Sequence, residues 1–401
     1  MDRTMNYAER AQALRAETVA HRRYFHTNAE VGLNMPKAQA YVLETLRALG
    51  IACQPCGHGV SATIGSGGKV ILLRADMDAL PMPEESGEPF ACPTGTEAHA
   101  CGHDFHAAML LTAAKMLKEN EDSLQGTVKL MFQPAEETFE GAKDMIANGI
   151  LENPPVDAAL AYHVTSGQMP LGLYMYNATG AMMFSVDGFR ITIYGQGGHG
   201  AYPHTAVDPI NIGVHIHLAL QEINSRELDP HGFGVFTTGR FEGGKTSNVI
   251  PDTAEMWGTI RTVDPDGKIN AQIKTRMTEI AKGVGAAMRC EVETEFYDFC
   301  PCMVNDDALS ADTLRYMTEL LGPAALDMAK LTGGKPGGGS EDFAFVSHKV
   351  PTVGMLLSTG NAKEGYCYTQ HNPKAKFDDS VLFRGSAAYV YAAARWLEEH
   401  Q

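Results

Sequence analysis

The stretch Val70-Ile71-Leu72-Leu73-Arg74-Ala75-Asp76-Met77-Asp78 decides the fold. Its four leading apolar residues do not alternate with polar ones, so the segment reads as a strand buried on both faces, as in a parallel sheet covered by helices. It closes on two aspartates, and carboxylates at a buried strand end are costly unless they pair or orient ligands. Residues 128–132 read as another strand, interrupted by Lys129, and the apolar run 158–162 as a third. Between the first two strands, residues 107–117 read as a helix. Upstream, Ala38, Tyr41, Val42, Thr45, Leu46 and Leu49 make a helical stripe that Gly50 stops. Residues 7–26 are expected to form one charged helix and residues 380–400 a closing one. Strands alternating with helices predict an α/β domain.

Near Ser185 the pattern changes. Residues 189–194 alternate in the β manner, 209–223 form an amphipathic helix, and strands are expected at 235–241 and 254–262. A helix at 269–284 and a strand at 290–296 complete a β-α-β-β-α-β order, that of a ferredoxin-like α+β unit. After Asn305 the α/β pattern returns. The expected organisation is one domain of residues 1–184 and 305–401 with a second, 185–304, inserted into it. A chain of 401 residues suits two domains.

Composition narrows the function. A formal net charge of −16 disfavours nucleic acid as a partner. No apolar run is long enough to span a bilayer. Residues 1–26 are charged throughout and lack the apolar centre of a signal peptide, so a cytoplasmic protein is expected. Cys53 and Cys56 form a C-x-x-C pair without a second pair at zinc-finger spacing, and read as ordinary thiols.

Five short segments hold metal-ligand residue types. Cys101 and His103 flank a glycine, so a tight turn can aim both at one point, and a thiolate can bridge two cations. Glu136 and Glu137 follow the strand 128–132. Extended backbone would send them to opposite sides, one to a metal and one to a water, the division of labour that metal-assisted hydrolysis requires. His163 stands at the end of the run 158–162, where ligands collect in open α/β sheets. His371 lies in Thr369-Gln370-His371-Asn372-Pro373, and Asp76 and Asp78 end the first strand. Taken singly, each has a bland reading: a buried thiol, a solvated acidic loop, a structural histidine.

Together the segments RADMDALP (74–81), HACGHDFHAAM (99–109), FQPAEE (132–137), the His163 strand end, GGHGAYPH (197–204), TSNVIPD (246–252), GSEDFAF (339–345) and HNP (371–373) resemble the aminoacylase and carboxypeptidase family of dinuclear metallohydrolases. The resemblance covers nearly the whole chain. It is strongest to the branch of hippurate hydrolases, indole-acetyl-amino-acid hydrolases and N-acetyl-diaminopimelate deacetylases. It implies an α/β metallopeptidase-type catalytic domain with a mixed sheet between helices and an inserted ferredoxin-like dimerisation (lid) domain. It also implies two divalent ions per subunit, Zn2+ or Mn2+, with Co2+ and Ni2+ as further candidates. Cys101, His103, Glu137, His163 and His371 would be the ligands, with Cys101 bridging. Glu136 would be the general base. Asp78 would belong to the catalytic groups, and Asp76, which stands where other branches carry a ligand histidine, would support the ligands. His199 would act on the substrate carbonyl from the partner of a homodimer or a tetramer of dimers, and Asn248, Arg261 and Ser340 would contact the substrate.

The substrate implied is a small N-acyl amino acid or a dipeptide-like molecule. Phe139, Met182, Met183 and Phe184 suit an acyl pocket, although core packing explains them equally. A dipeptidase or carboxypeptidase is the alternative, since a free amine would want an acidic partner instead. A non-catalytic metal-binding relative would need a broken site, and no expected group is missing. Two departures bear on the substrate. His26-Thr27-Asn28-Ala29-Glu30 lacks the family's His-Pro-Glu, and Met182-Met183-Phe184 is bulkier than the small residues common there.

Overall fold

The computed structural model describes residues 3–177, 180–332, 337 and 339–401. The chain forms two compact units. One comprises Met1–Met182, Val304–Pro336 and Glu341–Gln401, the other Met183–Met303 with Gly337–Ser340.

The first unit is built on an eight-stranded mixed sheet. Its strands include β1 (Ala52–Cys56), β2 (Gly59–Gly65), β3 (Lys69–Asp76), β4 (Gly126–Gln133) and β5 (Ala158–Gly167), in spatial order β1-β2-β4-β3-β5. Thr352–Asn361, Tyr174–Tyr176 and Ala325–Asp327 follow in that order. The central strand β3 runs parallel to both β4 and β5, and Thr352–Asn361 runs parallel to β5. Seven of the eight β3 residues and all of β4 are buried, which is why Val70–Leu73 reads as an unbroken apolar run; Lys129, buried within β4, donates to the Ile150 and Pro154 carbonyls.

Helices α1 (Arg3–Ala13), α2 (Arg15–Thr27), α3 (Pro36–Ala48) and α4 (His103–Glu119) pack with Leu382–Glu399 around this sheet. The single N-terminal helix expected at 7–26 is two, parted at Leu14, whose ψ of 1° leaves the helical range. Because β3, β4 and β5 are parallel, their carboxyl ends share one edge, and Asp76, Gln133 and His163 gather there. β5 runs four residues beyond His163, to Gly167. His163 is thus inside the strand, but past the last residue paired with β3, Ala161.

In the second unit Val186–Tyr194 pairs antiparallel with both Thr253–Val263 and Glu291–Cys300, and Phe233–Gly243 forms one edge. The helices Pro209–Glu222 and Lys268–Ala287 supply the crossovers of a ferredoxin-like fold. Alternate strand residues Phe189, Ile191 and Ile193 pack with Ile212, Ile216, Ile273 and Met277, each helix burying one apolar stripe. The Asp208 side chain caps the first helix by accepting the Ile210 and Asn211 amides, with Pro209 at its first position.

Gly337–Ser340, read from the sequence within 305–401, groups with this unit instead. The Phe184 amide donates to Gly339 O and Arg261 donates to the Ser340 hydroxyl. Among the described residues no helix is long and apolar enough to cross a membrane.

Candidate metal centre

Gly102 sets the geometry of the Cys-Gly-His element. Its φ is 96°, and a Cβ there would stand 2.4 Å from Val164 Cγ2. Only glycine accepts both the left-handed backbone and the contact. The turn ends at His103, the first residue of α4, so Cys101 and His103 meet one point from adjacent elements. Cys101 Sγ lies 3.4 Å from His163 Nε2. The His371 amide donates to Ala100 O, which pins its loop beside Cys101, and His371 Nε2 lies 3.3 Å from Glu137 Oε1. His103 Nε2 is 3.9 Å from both Glu136 Oε2 and Glu137 Oε1. The groups Cys101–His103–His163, Cys101–Glu137–His371 and His103–Glu136–Glu137 each have their donor atoms within 4.8 Å of one another. Two three-donor groups sharing Cys101 are the arrangement a pair of cations would use.

The two glutamates do not point to opposite sides, as extended backbone would have them. Ala135 has a φ of 51°, which turns the chain as it leaves β4, and the Phe139 amide closes the turn onto Glu136 O. Both carboxylates approach the same imidazole. Their other neighbours distinguish them: Glu137 meets Cys101 and His371, whereas Glu136 meets Glu341 and Asp342. Burial, then Glu341 and Asp342, pushes the Glu136 carboxyl well above its usual range. Burial also opposes ionisation of Glu137, but His371 and His103 outweigh it and hold its carboxyl low.

The rest of the cluster is strongly polarised. Burial disfavours the Cys101 thiolate, yet His163 and His103 bring the thiol down to about 6. Bonds to Cys101 and Glu137 raise His371 to about 10. Against burial, Cys101 raises His163 to about 9. The imidazoles are thus drawn towards their protonated forms by a thiolate and carboxylates, anions that divalent cations would satisfy with neutral imidazoles as ligands. His103 Nε2 is buried and forms no hydrogen bond, an expensive state for a ligand atom unless a cation meets it. The donor set therefore fits divalent metal.

Supporting groups fix the tautomers. Asp78 Oδ1 lies 3.2 Å from His103 Nδ1, and Asp78 Oδ2 accepts the Glu137 amide at 3.1 Å. His103 Nδ1 is thereby kept as the donor and Nε2 as the lone-pair atom. His163 Nδ1 donates to Val164 O. Asp76 accepts from Arg74 at 2.6 Å and from His106 Nδ1, so both its oxygens are engaged. His106 Nε2 accepts the Val164 amide at 2.8 Å, and with both ring nitrogens occupied it is unsuited to bind metal.

Sequence reasoning gave no role to His106, Arg74, Glu341 or Asp342. Arg74, fully buried, pairs with Glu341 and Asp342, which are 267 and 268 residues away along the chain. The only signal for this contact was the coexistence of one strand-end arginine and one paired acidic motif.

The other predicted residues lie in the second unit. His199 pairs with Val249 across a two-stranded ribbon, and the Gly200 amide donates to Asn248 O, so His199 and Asn248 are neighbours. The Ala201 amide donates to His199 Nδ1 at 3.0 Å, which leaves Nε2–H of the neutral ring as its free donor. Arg261 donates to Ser340 Oγ at 3.0 Å. The helix that follows Ser340, Ala344–Ser347, is a single turn and too short to offer an anion-binding N-terminus. Phe184 stacks on Phe233 with ring centroids 4.9 Å apart, which is the packing reading, and Met182 is buried. Phe139 is half-buried, with a φ of 56°.

Comparison with known proteins agrees with the geometry. The model of Peptidase family M20/M25/M40 matches residues 72–395. N-acetyl-L-cysteine deacetylase of Bacillus subtilis (strain 168) is 34% identical over 97% of this chain and 90% of its own. IAA-amino acid hydrolase ILR1-like 4 of Arabidopsis thaliana is 35% identical over 95% and 86%. The crystal structure of the Bacillus subtilis YXEP protein, described as a dinuclear metal binding peptidase of the M20 family, superposes with a TM-score of 0.82 at 28% identity, covering 96% of this chain and 99% of that one. With that match over most of its length, the chain belongs to Peptidase family M20/M25/M40 and is a metal-dependent amidohydrolase.

Proposed function

We propose that the protein hydrolyses the amide bond of an N-acyl amino acid, with Cys101, His103, Glu137, His163 and His371 holding two divalent ions and Glu136 serving as general base. The observation that carries this reading is the division between the glutamates: Glu137 faces the thiol and imidazoles, Glu136 faces carboxylates that favour its holding a proton. Bound divalent ions would lower the pKa of water and polarise the amide carbonyl. Glu136 would take the proton from the attacking water and hand it to the departing amine nitrogen. Asp78 would hold the His103 ring, and Asp76 would join that scaffold to Arg74 and His106. His199, with Nε2–H free, would donate to the carbonyl oxygen as negative charge develops there. Arg261, beside Ser340 and near Asn248 in sequence, would receive the substrate carboxylate through its forked donors.

Zn2+ or Mn2+ is the proposed occupant, since thiolate and imidazole suit the former and carboxylate the latter. An amide substrate with an acyl group suits the names of the deacetylase and IAA-amino acid hydrolase relatives. A homodimer is proposed through the second unit. Its edge strand Phe233–Gly243 and the helix Pro209–Glu222 expose Phe233, Val235, Phe241, Val214 and Leu218, and an unpaired apolar edge is a template for association. A reducing compartment, the cytoplasm, suits eight cysteines of which none forms a disulfide among the described residues.

The test is a substrate screen. Protein loaded separately with Zn2+ and Mn2+ is assayed on N-acetyl and N-benzoyl amino acids and on dipeptides. Cleavage of the N-acyl compounds, abolished by chelator, is the expected result. Cleavage of dipeptides alone would overturn the acyl assignment, and inactivity on the whole panel would overturn the proposed substrate class.

A further inference from the structure

Asp342 grips the loop that carries Glu136 and Glu137 at both of its ends. The loop leaves β4 after Gln133 and re-enters regular structure at the helix Gly141–Ala147. Ahead of the glutamates, Gln133 Nε2 donates to Asp342 Oδ1 at 2.6 Å. Beyond them, the Ala142 amide donates to Asp342 Oδ2 at 2.9 Å. Arg74 steadies the same carboxylate at 3.1 Å. The backbone N–H of Asp342 lies 3.4 Å from Glu136 Oε1. Asp342 has no solvent exposure, so these contacts are not shared with water.

The loop needs holding. Ala135 and Phe139, on either side of the glutamate pair, have φ values of 51° and 56°. Residues with side chains avoid this left-handed backbone, and it persists where surroundings over-determine it. Bonds inside the loop, from the Glu140 and Gly141 amides to Ala135 O and from Phe139 to Glu136 O, fix the shape of the turn. They do not fix where the turn stands relative to the sheet. Of the contacts described above, the carboxylate of Asp342 is the one that ties both loop ends to a single group.

We propose that Asp342 is the positioning residue of the general base, clamping both ends of the Glu136–Glu137 loop so that Glu136 is held at the metal centre. The inference rests on Glu136 being that base. A displacement of about 1 Å in a reacting group costs on the order of 10²-fold in rate.

Three variants test it: Asp342→Ala, Asp342→Asn and the double variant Gln133→Glu/Asp342→Asn. Metal content, kcat, KM and amide hydrogen exchange over residues 134–141 are measured on each. Asp342→Ala should keep both ions and a KM within about threefold of wild type while kcat falls roughly 10²-fold. Asp342→Asn fills the same volume but offers one acceptor where two are needed, so it should fall comparably. The double variant reverses the polarity of the contact at unchanged net charge. The amide at 342 then donates to the carboxylate at 133 and still accepts from Ala142; Arg74 loses its bond to position 342 but keeps Glu341 and the side chain at 133 as acceptors, so recovery should be partial, at least about tenfold of the lost kcat.

Wild-type kcat in Asp342→Ala, full rescue by Asp342→Asn alone, no recovery in the double variant, or metal loss in step with rate would each overturn the clamp. Should wild-type protein cleave no N-acyl amino acid, the functional reading fails and exchange alone decides. Lost protection over 134–141 in Asp342→Ala then supports the clamp, and unchanged protection ends it.

Discussion

Asp78 is bonded at once to His103 and to the backbone of Glu137: its Oδ1 stands 3.2 Å from His103 Nδ1, and its Oδ2 accepts the Glu137 amide at 3.1 Å. One carboxylate thus sets the ring orientation of one proposed ligand and the backbone position of another. Removing such a supporting partner typically costs about 10- to 100-fold in metal affinity. Asp78→Ala should therefore weaken binding of the more loosely held ion by that factor, read by calorimetric titration with Zn2+. Affinity unchanged within about twofold would remove Asp78 from the support of the site.

Glu136→Gln should retain its metals and lose turnover. The substitution keeps shape and neutral hydrogen bonding but cannot accept the proton, and a general base contributes about 10² to 10⁴-fold. Metal content and kcat are measured on the same preparation. A rate within a few-fold of wild type would assign the base elsewhere.

Cys101→Ala should lose metal and activity together, whereas Cys53→Ala should leave both near wild type. His163 and His103 hold the Cys101 thiol at about 6, so at neutral pH it is mostly thiolate in metal-free protein, while burial raises Cys53. Alkylation of metal-free protein should reach Cys101 with a rate that levels off above about pH 6, and added metal should block it. Equal labelling with and without metal would show that Cys101 is not a ligand.

His199→Ala should keep its metals and lose about 10² to 10³ in kcat, the usual cost of one hydrogen-bond donor to a developing oxyanion. If His199 serves the partner's site, mixing inactive His199→Ala with inactive Glu136→Gln under subunit exchange restores activity in proportion to heterodimer. Heterodimers that form and stay inactive would confine His199 to its own subunit.

Stability of the metal-free protein should fall as pH rises past neutrality, through His26. Burial works against its charge, but Asp104, 2.8 Å away, and Glu84 raise it to about 9. A histidine raised in the folded state contributes stability that is present in full below about pH 6.5 and gone above about 9. The contribution is on the order of 3 kcal/mol. The Tm of wild type should drop across that window, and His26→Gln should flatten the drop. Parallel pH profiles in the two proteins would remove His26 from the account.

Much of this protein was decided by the order of its residues. Apolar runs without alternation can only be covered on both faces, so Val70–Leu73 and 158–162 were legible as buried strands and 128–132 as a strand, as was the β-α-β-β-α-β order of the second unit; the parallel pairing that brings their carboxyl ends to one edge came from the fold. Cys101, His103 and the glutamate pair were legible as candidates because glycine and strand ends place such residues where backbone turns. What the sequence could not determine is which group faces which. Glu136 and Glu137 look alike until Ala135 turns the chain and Glu341 and Asp342 arrive from more than 200 residues away beside one of them. His106 resembles a ligand until Val164 and Asp76 are found on its two nitrogens. Local sequence sets backbone preference, but the charge and hydrogen-bonding state of a buried group depend on every neighbour within a few ångströms. Those neighbours are assembled only when distant segments pack.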